Sequence, residues 1–401
     1  MISELRSIKN LLIIIVYSKE DIKLKKNVIS ILLSIILSFF IFYSCTNEND
    51  NVVQSPVDNS QNLQKKPVSS ASYEVFATGL NNPRGLRFGP DGYLYVAEGG
   101  LGGLNNTVGL CDQVIPPVGP YTSGFTASIA KINSSGIVTR IVENLPSSQT
   151  SPSLGSLVSG VADVEFIGNT LYALIGGAGC SHGHANDPNS IIKVNTNGTW
   201  DMVADLSDWS LNHPVANPEE DDYEPDGTWY SMINVNGKLY AVEPNHGEMV
   251  KVTTSGQISR VIDVSATQGH IVPTVVAYHG NFYLGNLNTF PVVPGSSSIF
   301  KVTPSGQIQE RETGLTTILG LVFDNQDRMY VLEMSTVAGD PTPGTGKIIQ
   351  IQPSGQQQTL VEGLTFPTGM TFGPDGALYV SNQGFGPPIP GFGQILKVTL
   401  N

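Results

Sequence analysis

Charge is scarce in this sequence: Asp, Glu, Lys and Arg make up only 14 % of its 401 residues, and acids outnumber bases 34 to 21. The first 45 residues hold six of those bases and three of the acids, so the remainder carries a net charge near −16. A surface of that sign repels nucleic acid and argues against a DNA or RNA partner. It is open to two readings, cation binding or simple solubility. Apolar runs long enough to span a bilayer are missing too. The run from Val28 to Tyr43 has 16 residues, against the ~20 that a membrane helix takes. Beyond residue 70 no 3.6-residue apolar periodicity appears, so helices are not expected there. There is no Gly-Xaa-Ser-Xaa-Gly elbow, phosphate-binding loop or dinucleotide fingerprint, and the chemistries those motifs serve have no support. Cysteine is limited to Cys45, Cys111 and Cys180.

What is present begins with an address. Lys23, Lys25 and Lys26 precede the Val28–Tyr43 run, which ends at Ser44-Cys45. A basic segment, a short apolar core and a small residue at the boundary form an export signal. Phe42-Tyr43-Ser44-Cys45 is similar to a lipobox, which implies lipidation of Cys45. Residues 1–45 are therefore read as a lipoprotein-type signal peptide. Residues 46–70, polar and aperiodic, are read as a flexible tether. The expected location is exported and membrane-anchored through that lipid.

The rest is organised by one stretch that occurs twice. Pro83-Arg84-Gly85-Leu86-Arg87-Phe88-Gly89-Pro90-Asp91-Gly92-Tyr93-Leu94-Tyr95-Val96 returns as Pro367-Thr368-Gly369-Met370-Thr371-Phe372-Gly373-Pro374-Asp375-Gly376-Ala377-Leu378-Tyr379-Val380. Each copy reads as a β-hairpin around a Pro-Asp-Gly turn. Weaker copies carry a Leu-Tyr-like pair at Leu171-Tyr172, Leu239-Tyr240, Phe282-Tyr283 and Met329-Tyr330, alternating with Lys-Val-like pairs such as Lys193-Val194 and Lys251-Val252. Six copies of two hairpins predict an all-β, six-bladed β-propeller over residues 71–401. The last blade has only three strands of its own. Tyr73-Glu74-Val75-Phe76-Ala77-Thr78-Gly79-Leu80 should supply the fourth and close the ring. The expected state is a monomer.

With strands lettered A to D from the axis outward, the A–B and C–D turns are short and the B–C and D–A connections long, so all long loops share one face. Function is expected there, around the channel mouth. Residues at A-strand starts and B-strand ends should ring that mouth: Arg84, Asp163, Trp229, Tyr230 and His270 on one side, Glu98, Glu243, Asn245, His246, Asn286, Glu333 and Asn382 on the other. Such carboxylates and amides either bind a ligand or cap strand ends. Ca²⁺ or another divalent cation could be held by Glu98, Glu243 and Glu333, or by His182 and His184 in the loop after blade two's B strand. The run Glu219-Glu220-Asp221-Asp222 is either a Ca²⁺ loop or a solvated acidic one. Cys111 and Cys180, in loops of neighbouring blades, are candidates for a disulfide.

The segment Gly79-Leu80-Asn81-Asn82-Pro83-Arg84-Gly85-Leu86 to Ala97-Glu98-Gly99-Gly100 resembles the ScyD/ScyE family of exported propellers. So do Ala204-Asp205-Leu206-Ser207, Asn217-Pro218-Glu219 and Trp229-Tyr230. The resemblance covers about residues 71–400. More distantly the chain is similar to NHL-repeat, gluconolactonase-like and streptogramin-lyase-like propellers, which use a divalent cation or a histidine on the axial face. Two functions follow as expectations. One is binding of a small molecule, glycan or protein on the long-loop face; the alternative is a cation-dependent hydrolase or lyase at the channel mouth.

Overall fold

Short apolar runs broken by Gly-containing turns can satisfy their backbone groups only by pairing with the next run, and here they do so six times. The structure, a computed structural model, describes residues 71–218 and 223–400. The segment read as a signal peptide with Cys45, the segment read as a tether and the Glu219–Asp222 run lie outside the described residues. Six small antiparallel sheets form a six-bladed β-propeller. Blade one comprises Pro83–Phe88, Leu94–Glu98, Thr122–Ile132 and Val138–Gln149, with the short Val158–Ser159 as a fifth strand. Blade two comprises Val161–Ile167, Thr170–Ile175, Ser190–Val194 and Trp200–Asp205, and blade three Ser231–Val235, Lys238–Glu243, Glu248–Val252 and Ile258–Asp263. Blade four runs through Pro273–Tyr278, Phe282–Asn286, Ser297–Val302 and Ile308–Leu315, and blade five through Ile318–Phe323, Met329–Glu333, Gly346–Ile351 and Gln357–Leu364.

Blade six has Gly369–Phe372, Leu378–Asn382 and Gly393–Leu400, and its outer strand is Ala71–Leu80 from the other end of the chain. The pairing runs from Ala71 opposite Leu400 to Leu80 opposite Gly393. The closure expected from sequence is therefore the closure observed.

The core is distributed between blades. Six apolar clusters occupy the six blade junctions. The junction of blades six and one joins Ala77 and Leu80 of the borrowed strand to Leu94, Ile132, Tyr379 and Ile395. Removing such surface from water is the main favourable term, at about 25 cal/mol per Å².

Glycine at the C–D turns is demanded by the neighbouring blade as well as by the turn. Gly256 has φ +85°, and a Cβ there would lie 2.2 Å from the carbonyl oxygen of Val203 in blade two. Gly136 of blade one approaches Phe76 of the borrowed strand in the same way, at 2.1 Å.

Two details differ from the sequence reading. The third and fourth strands of blade one extend past the blade, pairing as far as Thr122 with Gln149, so part of the supposed loop is a hairpin rising from the long-loop face. Blade three's inner strand starts at Ser231, because Trp229 turns into the core rather than into the ladder.

Candidate functional site

The last residue of most B strands proves to be a loop anchor. Glu98, fully buried, accepts from the Asn81 N–H at 2.7 Å, the Ser128 hydroxyl at 2.6 Å and Arg140 Nε and Nη2 at 2.8 Å each. Glu243 accepts from the N–H groups of Thr228 at 2.6 Å, Asn245 at 3.1 Å and His246. Glu333 accepts from the Thr316 N–H at 2.7 Å and pairs with Lys347 at 3.2 Å, while burial pushes its pKa up. Asn382 accepts from the Thr365 N–H at 2.9 Å. Asn286 accepts from the Ser298 N–H at 2.7 Å and donates to the Ile271 carbonyl at 2.9 Å. Four of the five reach a backbone N–H 15 to 17 residues back, in the segment that leads into the same blade's A strand. Buried backbone groups must be paired, and in blades one, three, five and six one polar side chain does this for the connection into the A strand. Glu98, Glu243 and Glu333 sit in separate blades with their oxygens facing their own loops, and no group of three or more His, Cys, Asp or Glu able to hold a metal occurs among the described residues.

The histidines are redistributed as well. His182 is fully buried, with Nε2 3.1 Å from Glu224 Oε2, and Tyr121 donates to Glu224 Oε1 at 2.9 Å. Burial pulls the His182 pKa down, but the Glu224 carboxylate outweighs it and the net shift is upward. His184 instead faces the Ser147 carbonyl at 3.1 Å, and burial lowers its pKa. The two imidazoles thus face different partners. His246 meets the Glu224 carbonyl at 2.8 Å and stacks on Tyr223, while Asn245 accepts from the Glu224 N–H at 2.8 Å. His270 lies half-buried in the connection before Pro273. Trp229 packs among Tyr172, Leu174, Leu206 and Leu239 at the junction of blades two and three, which is a core role.

Around Glu224 the long-loop face of blades one to three is bound into one piece. Ser181 donates from N and Oγ to Asp226 Oδ2 at 2.7 and 2.6 Å, and Ser123 donates to the Gly183 carbonyl at 2.7 Å. Cys111 and Cys180 are disulfide-bonded, with Cα atoms 6.3 Å apart. Asn189, in the position that blade two's apolar Ile175 leaves without an anchor, accepts from the Ala178 N–H at 2.8 Å and donates to the Asp226 and Gly227 carbonyls. Sequence reading missed Tyr121, Asn189, Glu224 and Asp226. The absence of a polar residue at Ile175 was the available signal for Asn189.

On this braced platform stand apolar side chains in contact with water. Leu104 is 88 % exposed and Leu110 73 %, with Val108, Ile115 and Phe125 nearby in sequence.

Three of the candidates do reach the axis. Tyr230 of blade three donates to the Thr368 carbonyl of blade six at 3.2 Å, so it crosses the channel between opposite blades. Arg84 of blade one approaches the Tyr230 hydroxyl at 3.4 Å, lies over its ring and donates to the Val158 carbonyl. Next to them is a cavity of about 410 Å³ lined by the A strands, including Asp163. Burial pushes the Asp163 carboxyl up to about 7, opposed by N–H donors from Met232 and Val164 and by the Arg87 charge.

No family model matches this chain, and no curated protein matches it. Solved structures do. A putative oxidoreductase (glucose dehydrogenase) from Thermus thermophilus shares 15 % identity with a TM-score of 0.52, over 82 % of this chain and all of that one (100 %). An auxiliary nutrient binding protein from Bacteroides thetaiotaomicron shares 9 % with a TM-score of 0.50, over 83 % of this chain and 77 % of that one. A protein of unknown function from the same organism shares 10 % with a TM-score of 0.53, over 83 % and 76 %. At these identities the likeness is one of fold.

Proposed function

We propose that the chain is an exported, membrane-anchored propeller of the ScyD/ScyE type that binds a small molecule, glycan or protein on its long-loop face. The observation that carries this reading is the exposed apolar group around Leu104 and Leu110, held on loops that a disulfide and buried hydrogen bonds make rigid. Exposed apolar side chains cost solubility and mark contact sites, and a pre-ordered platform loses little entropy when it binds. Export agrees with the Cys111–Cys180 bond, since disulfides persist in oxidising compartments. Anchoring rests on the lipobox-like Cys45, and the acidic surface disfavours nucleic acid. The hydrolase or lyase alternative has less support, because its carboxylates already serve as loop anchors.

The test is a thermal-shift panel on the purified chain with oligosaccharides, aromatic small molecules and the cations Ca²⁺, Mn²⁺ and Zn²⁺. A binding platform gives a Tm rise with an organic ligand that persists in EDTA and is lost in Leu104→Ser/Leu110→Ser. A rise with a cation alone, abolished by Glu333→Gln, would transfer the case to the metal enzyme.

A further inference from the structure

The axial cavity extends from Tyr230 and Thr368, the last residues of the connections into blades three and six, down the A strands to His279 and Asp324 at the A–B turns. At the long-loop end Tyr230 bars the way by bonding to Thr368 of the opposite blade, with Arg84 against its ring. At the other end stand Phe88, Phe323 and Phe372. Gly85, Gly320 and Gly369 occupy the same A-strand position in blades one, five and six, where blades two and three carry Asp163 and Ser231; a Cβ at Gly85 would strike Asp163 of the next blade.

We propose that this cavity is a second binding site, entered from the short-turn rim, for a small neutral molecule bearing several hydroxyl groups. The volume is that of a small-ligand pocket. The charges around it largely cancel. Arg87 pairs with Glu165 at 2.8 Å, Asp324 with Arg328 at 2.5 Å, and His279 with Asp327 at 2.8 Å. Neither a free cation to hold an anion nor a cluster of carboxylates to hold a metal faces the lumen among the described residues. What remains is hydrogen-bonding capacity of both kinds. Asp163 is an acceptor partly open to the lumen, and Ser231 and Thr371 bring hydroxyls that can donate and accept.

The experiment is calorimetric titration of the full chain with four probes: D-glucose, myo-inositol, choline and acetate. The site predicts binding of glucose or inositol, weakened at least 10-fold by Asp163→Asn and also by Ala277→Phe, which fills the lower cavity. Leu104→Ser/Leu110→Ser should leave that affinity unchanged, which separates this site from the platform. Melting curves confirm that each variant is folded; if one is not, Thr371→Val, which removes a lining hydroxyl at constant shape, takes its place. Silence toward both polyols, a preference for choline or acetate, or polyol binding that survives Ala277→Phe would each overturn the proposal.

Discussion

The two rims of this ring are built by different rules. On the short-turn rim the same device recurs. Asp91 accepts from Tyr95 at 2.9 Å and pairs with Lys131 at 2.7 Å; Asp375 does so with Tyr379 at 3.2 Å and Lys397 at 2.7 Å. Asp324 holds Tyr330 at 3.1 Å with Arg328 in the place of lysine. Each copy is local, and each is written in the repeat. On the long-loop rim the recurring contacts are the anchor at the end of the B strand and a backbone bond from the next residue to the start of the A strand, as from Gly99 to Asn82 and from Met334 to Thr317; the side-chain contacts beyond them differ from blade to blade among the described residues. The Tyr121–Glu224–His182 group, the Ser181–Asp226 bond and the disulfide each occur once. One rim is repetitive and the other is not, which is why the proposed binding face is the second.

The largest effect should come from breaking what both rims share. Deleting residues 71–79 removes the outer strand of blade six and exposes the cluster at the junction with blade one. Lost core packing together with a ladder of backbone bonds should cost at least about 5 kcal/mol. The measurement is a urea melt followed by circular dichroism. A truncated chain with the parent's midpoint would show that the ring does not depend on its closure.

Next in size is the long-loop rim taken alone. The Cys111–Cys180 bond closes a loop of 69 residues of sequence separation. Restricting an unfolded chain by that much stabilises by about 2–4 kcal/mol. Cys111→Ser/Cys180→Ser should therefore lower Tm by several degrees while leaving the short-turn rim's ion pairs in place. It should also increase hydrogen exchange in the 101–121 and 179–187 segments more than elsewhere. Uniformly raised exchange around the ring would mean that the two rims are not independent.

How much of this was legible follows the same division. Blade number, strand order, the borrowed strand and the side on which the long loops lie could all be read, because the Tyr and Lys markers repeat and the turns carry their own glycines. The site was less legible. Glu98, Glu243 and Glu333 were recognised as equivalent, but their partners are N–H groups of irregular segments, and no periodicity reports where such a segment bends back. Their alignment suggested convergence on the axis, whereas the side chains turn toward the loops. Glu224 and Tyr121 lie 103 residues apart and meet only through the fold. Tyr230 was found for its position, yet its reach across the channel depends on Thr368 in the opposite blade.

The smallest expected effect is on the short-turn rim, and it tests whether repetition there matters energetically or only geometrically. Lys131 and Lys397 each lie against an Asp and a Tyr, half-exposed. Exposed pairs of this kind contribute about 0.2–1 kcal/mol, so Lys131→Met alone should be barely measurable and the double variant with Lys397→Met only slightly more. The pH dependence identifies the cause. Burial raises the Asp91 pKa, but bonds from Lys131 and Tyr95 outweigh it and leave the carboxyl below its ordinary value. A carboxyl depressed in the folded state stabilises above its unfolded pKa of about 4 and loses that contribution as pH falls through the folded value. The gap between parent and variant should thus be constant from pH 5 to 7 and close as pH falls below the unfolded value of about 4 and through the lower folded one. A gap that persists at pH 2.5 would assign the lysine's role to the packing of its methylene stem on Tyr93 and Tyr95 rather than to its charge.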